Sequence, residues 1–246
     1  MIENKTLQRY EFKYFLSSKI SKEIKDHIKK FMILDKFANK NLNKCYFVRS
    51  IYFDDNINSN FEEKINGHRI RKKFRIRFYN KNIDNSPIYL ETKGRNLERT
   101  YKRRIKIDQE DFQVISTGNS VNYLLSKYPN SLPIKEFIFE YNKKKLKPKV
   151  LIDYLREPFV NIHGLYFRLT FDNNLKCKNL NKNLKNINIS QEILCKAGFT
   201  ILEVKFDRNI PLWFHRIIQS YNLTRESISK FVLGMCYTKL GEETSD

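Results

Sequence analysis

The sequence predicts an α+β fold in which a closed antiparallel β-barrel of about eight strands is surrounded by helices packed outside it. Three observations predict this architecture. Several segments alternate apolar and polar residues with the two-residue period of a strand. Their polar positions are densely basic, and segments with helical spacing lie between them. If such strands closed into a barrel, their apolar faces would meet the helices and their charges would line a cavity.

Length and charge set the first bounds. The chain has 246 residues, of which 41% are apolar, enough for one substantial core but short for two. We therefore expect a single domain over residues 1–246. Lysine and arginine number 47 against 27 acidic residues, which gives a net charge of +20. This favours a polyanionic partner, although a genome rich in lysine and asparagine codons would also raise the charge.

The predicted strands separate their charges from their apolar side chains. In residues 9–16, for example, Phe12 and Tyr14 oppose the charged positions. The polar faces hold, in chain order, Arg9, Glu11 and Lys13; Arg71, Lys73, Arg75 and Arg77; Glu91 and Lys93; Lys102, Arg104 and Lys106; Tyr166, Arg168, Thr170 and Asp172; and Glu203, Lys205 and Asp207. One such strand would fit an ordinary sheet with its polar face in water. Because the pattern recurs, we expect a shared lining that bound phosphates, carboxylates or water must compensate.

Helices are predicted between these strands, and loops where asparagine and lysine accumulate. Ser17 or Ser18 is a suitable N-cap for the first helix. The predicted helices cover residues 18–34, 109–117, 120–128, 211–221 and 225–240, and one predicted loop covers 176–188.

A succession of motifs resembles a known family. The motifs are R-Y-E-F-K-Y-F-L from Arg9, S-I-Y-F-D from Ser50, G-H-R-I-R-K-K-F-R-I-R-F-Y from Gly67, L-E-T-K from Leu90, Y-K-R-R from Tyr101, P-K-V-L-I-D-Y-L-R from Pro148, F-R-L-T-F-D from Phe167, L-E-V-K from Leu202 and S-K-F from Ser229. Each is weak alone, but their order spans nearly the whole chain. Together they resemble the VTC domain, the polyphosphate polymerase domain of the triphosphate tunnel metalloenzyme or CYTH-like superfamily.

The resemblance implies a barrel whose basic side chains hold a triphosphate or a growing polyphosphate, and a glutamate that holds Mn²⁺ or Mg²⁺. It places catalytic roles on Lys13, Arg75, Arg77, Lys93, Arg168 and Lys205, phosphate binding on Arg104, Tyr154, Arg156 and Lys230, and metal binding on Glu203 and Glu11. The hydrolytic branch of the superfamily typically opens with E-x-E-x-K, whereas Arg9 stands here at the first position. This departure favours the polymerase-like branch over a two-metal hydrolase.

The expected function is therefore transfer of the γ-phosphate of a nucleoside triphosphate to a polyphosphate chain. A tripolyphosphate or nucleoside triphosphate hydrolase and a noncatalytic polyphosphate-binding module remain alternatives. We expect no nucleic-acid partner, because the aromatic and basic side chains occupy opposite strand faces, whereas single-strand binders combine them on one face. A membrane-surface role for the lysine-rich helix at residues 18–30 is a further alternative.

Other motifs are missing from the sequence. The four histidines, His27, His68, His163 and His215, lack ligand spacing, and there is no P-loop or dinucleotide-binding motif. The four cysteines, Cys45, Cys177, Cys195 and Cys236, lack paired spacing, so we expect reduced thiols. No apolar stretch approaches the roughly 18 residues of a membrane span, and a cytoplasmic protein is expected.

Overall fold

The computed structural model describes residues 10–80, 86–97, 99–118, 121–162, 166–180 and 193–241. Within them the chain is an α+β protein with ten strands and eight helices. The strands are β1 (Tyr10–Ser17), β2 (Met32–Leu34), β3 (Tyr46–Asp54), β4 (Ile70–Phe78), β5 (Ile88–Asn96), β6 (Arg99–Ile107), β7 (Lys147–Asn161), β8 (Phe167–Asn179), β9 (Ile193–Leu194) and β10 (Phe199–Phe206). The helices are α1 (Ser18–Ile28), α2 (Lys36–Asn39), α3 (Ser59–Ile65), α4 (Gln109–Thr117), α5 (Tyr123–Lys127), α6 (Leu132–Lys144), α7 (Leu212–Ser220) and α8 (Lys230–Tyr237).

The strands form one large antiparallel sheet. Its strand order is β1-β10-β8-β7-β3-β4-β5-β6, with β2 paired to β7 and β9 paired to β8. The predicted strand pattern is confirmed, because the described polar-face residues named from the sequence fall on β1, β4, β5, β6, β8 or β10, except Tyr166 and Asp207, which lie one residue beyond the ends of β8 and β10. Arg9 and residues 81–85 lie outside those ranges. No ladder between described residues joins β1 to β6, so the predicted closed barrel is not confirmed.

The chain divides into two compact units. The first unit comprises residues 1–47, 154–175 and 196–228, and the second comprises 48–153, 176–195 and 229–246. The long strands β7 and β8 contribute residues to both units. The expectation of a single domain stays a prediction.

The first unit has its own apolar core. Strand residues such as Leu16, Phe171 and Val204 are buried together with Ile24 of α1 and Phe214 of α7. These strand residues occupy the apolar positions of the alternation, so the opposite faces of β1, β8 and β10 carry the charges. Ser17 begins α1 by accepting a hydrogen bond from the backbone N–H of Ile20 through its side chain, as predicted.

The second unit buries the apolar faces of β3, β4 and β5. Phe53, Ile76 and Leu90 pack in one cluster with Phe112 of α4 and Phe137 of α6. Helix α4 covers the predicted range 109–117 and begins with a capping box. Helix α6 was not predicted from the sequence.

Three predicted boundaries are wrong. The first helix ends at Ile28 rather than residue 34, because Met32–Leu34 form β2 and pair with β7. The last helix begins at Lys230 rather than residue 225, with Ser229 as its N-cap. Residues 176–179, predicted as loop, continue β8, while 181–188 lie outside the described residues. Helix α5 covers Tyr123–Lys127 of the predicted 120–128.

No helix in the described residues is long and apolar enough to span a membrane. All four cysteines are free thiols, as the sequence predicted.

Candidate functional site

Strand register in the first unit places acidic and basic residues alternately on one face. Lys13 of β1 lies opposite Glu203 of β10, and Glu11 lies opposite Lys205. On the other side of β10, Glu203 lies opposite Thr170 of β8 and Lys205 opposite Arg168. Because directly opposite residues of an antiparallel pair share a face, all of these side chains project to the same side of the sheet. We call this group, together with Tyr154, Arg156 and Asp172, the first cluster.

The carboxylates of the first cluster converge on lysine. Lys205 Nζ lies 2.7 Å from Glu203 Oε1 and 3.4 Å from Glu11 Oε2. Lys13 Nζ lies 2.8 Å from Glu11 Oε1 and donates to the backbone oxygen of Ile228 at 3.0 Å. Burial acts to lower the pKa of each lysine, but Glu11 and Glu203 outweigh it and raise both pKa values. Both ammonium groups are therefore charged at neutral pH.

The two arginines of the first cluster differ in their bonding. Arg156 forms a bidentate pair with Asp172, with Nε–Oδ1 and Nη2–Oδ2 distances of 2.6 and 2.7 Å. Its guanidinium lies 5.3 Å from the centre of the buried Tyr154 ring. Arg168 Nη2 lies 3.2 Å from Asp35 Oδ2, whereas its Nε is buried without a hydrogen-bond partner in the described structure. Arg156 is held by the protein, and Arg168 retains a donor for a ligand.

The second unit contains another polar face, built on β3 to β6. Arg75 lies opposite Tyr52 of β3 and Glu91 of β5, and Glu91 lies opposite Arg104 of β6. The neighbouring row aligns three lysines, because Lys73 faces Lys93 on β5, which faces Lys102 on β6. We call the residues of these two rows, together with five neighbours, the second cluster. Its members are Tyr52, Arg75, Glu91 and Arg104; Lys73, Lys93 and Lys102; and Ser50, Arg77, Ser229, Lys230 and Phe231.

Glu91 is the centre of the second cluster. It is fully buried and accepts two hydrogen bonds from Arg75, from Nε at 2.8 Å and from Nη2 at 2.6 Å. Both bonds go to Oε2, which also lies 3.9 Å from Arg77 Nη1, whereas Oε1 lies 2.6 Å from Lys102 Nζ. Burial acts to raise the pKa of Glu91, but Arg75, Arg77 and Lys102 together hold it well below the usual value. Glu91 is a structural anion that fixes three cations.

Lys102 is the cation whose charge responds to pH. Burial, with Arg75 and Arg77, lowers the pKa of Lys102 to about 8, although Glu91 acts in the opposite direction. Arg104 is also exposed and lies 5.0 Å from the centre of the Tyr89 ring. The polar face thus contains both fixed and titratable positive charge.

Helix α8 packs on the polar face of the second unit. Phe231 stacks on Tyr52 with ring centres 5.2 Å apart, and the hydroxyl of Tyr52 accepts a hydrogen bond from Arg75 Nη1 at 2.8 Å. Lys73 Nζ lies 3.2 Å from the hydroxyl of Ser229, the N-cap residue. Burial acts to raise the pKa of Tyr52, but Arg75, Arg77 and Lys230 lower it. Lys230 therefore lies within electrostatic range of the Tyr52 hydroxyl.

The structure places every predicted site residue on one of the two polar faces. The first cluster holds Glu11, Lys13, Tyr154, Arg156, Arg168, Glu203 and Lys205, and the second holds Arg75, Arg77, Lys93, Arg104 and Lys230. Their roles in binding phosphate or metal stay predictions, as does the sharing of one cavity. The sequence analysis did not assign roles to Tyr52, Lys102 or Thr170. The sequence nevertheless contained a signal for each of them. Lys102 and Thr170 lay on predicted polar faces, and Tyr52 lay in the S-I-Y-F-D motif.

The predicted metal ligands are consistent with a cation that is partly ligated by substrate. The described residues contain no group of three or more histidine, cysteine, aspartate or glutamate side chains able to hold a metal. Glu11 and Glu203, however, both approach the Lys205 ammonium, so their carboxylates converge. Mg²⁺ usually takes one or two protein carboxylates and completes its shell with water and phosphate. Two converging carboxylates fit that donor set.

A solved structure shares the fold of this chain at low sequence identity. HpAC1 from Hippeastrum, an adenylyl cyclase candidate with a dominant triphosphatase activity, matches with a TM-score of 0.51 at 14% identity, over 92% of this chain and 96% of that one. The chain belongs to the VTC domain family, whose family model matches residues 8–239. The PH1819 protein of Pyrococcus horikoshii OT3 has a TM-score of 0.48 at 10% identity, with 92% and 97% of the two chains covered. No curated protein matches the chain.

Proposed function

We propose that this VTC domain is a polyphosphate polymerase-like enzyme that transfers the γ-phosphate of a nucleoside triphosphate to a polyphosphate chain. The observation that carries the proposal is the first cluster, in which Glu203 lies on the same face of the sheet as Lys13, Lys205 and Arg168. A carboxylate for a metal and cations for phosphate oxygens therefore lie side by side. A closed barrel, which the family resemblance implies, belongs to this proposal.

Phosphoryl transfer makes few demands on the protein beyond positioning and charge. The equatorial oxygens of the transferred group must be neutralised, and the attacking and leaving oxygens must lie in line. Arg168 offers a buried Nε donor without a protein partner, and both lysines are held in the charged state by their glutamates. When a phosphate enters the cluster, its oxygens replace the glutamate carboxylates as partners of the two lysines.

A divalent cation, Mn²⁺ or Mg²⁺, is part of the proposal. Glu203 would hold it with Glu11, which approaches the same lysine. The bound ion would supply further positive charge at the phosphate oxygens. The protein's own share is to orient both carboxylates through Lys13 and Lys205.

The second cluster is proposed to hold the polyanion rather than to act on it. Arg75 and Arg77 are buried, with their guanidinium groups positioned by Glu91, Tyr52 and Ser50. Side chains fixed in this way lose little conformational entropy when they bind phosphate. No nucleic acid is proposed as a partner, because the charged strand faces stand opposite the apolar ones.

A hydrolase is the second candidate function. The structural likeness to HpAC1, whose dominant activity is that of a triphosphatase, favours it. Water would then take the place of the polyphosphate acceptor, and the same residues would stabilise the transferred group. On β1, however, Glu11 is the one carboxylate of the opening motif, because Arg9 stands where the hydrolytic branch has a second glutamate.

One incubation separates the candidates. The purified protein is mixed with ATP and Mn²⁺ or Mg²⁺, and polyphosphate, ADP and orthophosphate are resolved as products. Long chains with ADP support the polymerase, and orthophosphate without chains identifies a hydrolase. If neither product forms while tripolyphosphate still binds at moderate salt, the domain is a noncatalytic binder. A matched reaction with chelator measures metal dependence.

A further inference from the structure

Thr170 has a buried hydroxyl that makes no hydrogen bond in the described part of the chain. The residue is 3% exposed, and within the described part of the chain its Oγ1 is buried without a hydrogen-bond partner. Two residues earlier on the same face of β8, the Nε of Arg168 is also buried without a hydrogen-bond partner in that part of the chain. Buried polar atoms are nearly always bonded, so two adjacent exceptions on one face indicate a missing partner.

The surroundings of Thr170 define what that partner is. Glu203 lies directly opposite on β10, and Lys205 and Arg168 form the next pair of the ladder. Thr170 has the shortest side chain of these four, so its hydroxyl lies at the floor of the first cluster, beneath the longer charged groups. A ligand that Arg168 and Lys205 attract is an anion, and an anion of oxygen atoms can accept from a threonine hydroxyl as well.

We infer that Thr170 is a further phosphate-binding residue, whose hydroxyl donates to an oxygen of the same phosphate that Arg168 and Lys205 bind. The inference rests on the proposed function and adds a residue to its site. Among the described residues the hydroxyl has no protein partner to give up, whereas Lys205 exchanges its 2.7 Å contact with Glu203 for the ligand. A neutral donor at the floor fixes the depth and rotation of the phosphate, which two long, flexible cations do not.

The inference predicts opposite signs for stability and affinity. Thr170→Val keeps the shape of the side chain and removes an unsatisfied hydroxyl, so the ligand-free protein keeps its melting temperature or gains about 2–4 °C. The same change removes a hydrogen bond to a charged ligand, so tripolyphosphate affinity falls about tenfold or more. Thr170→Ser retains the hydroxyl and restores the affinity.

Two matched threonines control the experiment. Thr92 of β5 is fully buried with an unpartnered Oγ1, but it lies on the apolar face opposite Phe74. Thr92→Val is expected to leave affinity unchanged. Thr200 of β10 is buried and donates to Asn173 Oδ1 at 2.6 Å, so Thr200→Val lowers the melting temperature without changing affinity.

Calorimetric titration with tripolyphosphate and thermal melting of all variants at moderate salt decide the matter. Loss of affinity in Thr170→Val with recovery in Thr170→Ser supports the inference. Unchanged affinity in Thr170→Val overturns it, and so does a joint loss of stability and affinity that serine does not restore. If the unaltered protein fails to bind tripolyphosphate, the proposed function itself is wrong, a result distinct from either of these.

Discussion

Glu91→Gln tests whether one carboxylate organises the second cluster. The substitution is nearly isosteric but removes the charge that faces Arg75 at 2.6 and 2.8 Å and Lys102 at 2.6 Å. Breaking a buried ion pair by removing one partner costs about 3–5 kcal/mol of unfolding free energy. The side chain of Lys102 is 41% exposed and recovers some hydration, so we expect the lower end, about 3 kcal/mol. That corresponds to a fall in melting temperature of roughly 6–12 °C.

The assay is thermal melting with and without tripolyphosphate. Glu63→Gln in α3 is the matched control, because its pair with Lys144, at 2.7 Å, is about one fifth exposed and is expected to contribute no more than about 1 kcal/mol. Tripolyphosphate should raise the melting temperature of Glu91→Gln more than that of the unaltered protein, since the ligand supplies the missing negative charge. Equal losses in the two variants would refute the reasoning, as would a variant that the ligand fails to stabilise.

Three further predictions concern activity and binding. Glu203→Gln should abolish metal-dependent turnover while circular dichroism shows an intact fold; full activity would place the metal elsewhere. Arg75→Lys with Arg77→Lys preserves net charge, yet tripolyphosphate affinity should fall at least roughly tenfold, because an ammonium cannot reproduce planar bidentate donors. Heparin affinity is the control and should hardly change. Lys102 loses its proton as pH rises through its pKa of about 8, so tripolyphosphate affinity should weaken by roughly two- to fivefold between pH 7 and 9. Lys102→Arg should remove that dependence. If the variant keeps the pH profile of the unaltered protein, Lys102 does not face the ligand.

The strand faces could be predicted because their period is fixed by covalent geometry. Alternation placed Lys13, Arg75, Arg168 and Lys205 on polar faces, and the register of the sheet agrees. The pairing between strands was harder to predict from the sequence. Nothing local in the sequence indicates that Glu91 rather than Glu203 is fully buried, because burial depends on which strands become neighbours.

The helix boundaries show where local pattern loses to tertiary pairing. Residues 18–34 read as one helix, but Met32–Leu34 satisfy their backbone groups by pairing with β7 instead. Helix α8 begins only at Lys230, where Ser229 caps it and also contacts Lys73 of β4. Both boundaries depend on strands far away in the chain, which explains why a window of local sequence misplaced them.

The two clusters differ in how their charge is balanced, and the difference supports the separate roles that we propose for them. In the first cluster each cation lies near a carboxylate, as Lys13 and Lys205 do to Glu11 and Glu203. The polar positions of β4, β5 and β6 instead hold Glu91 as their one carboxylate and nine cations, namely Arg71, Lys73, Arg75, Arg77, Lys93, Arg95, Lys102, Arg104 and Lys106. Like charges directly opposite one another on a sheet are destabilising, so this face has free energy to gain from a polyanion. This charge excess supports the proposed function, in which the second cluster adds salt-dependent affinity and the balanced first cluster, with its two converging carboxylates, is the place of the transfer step.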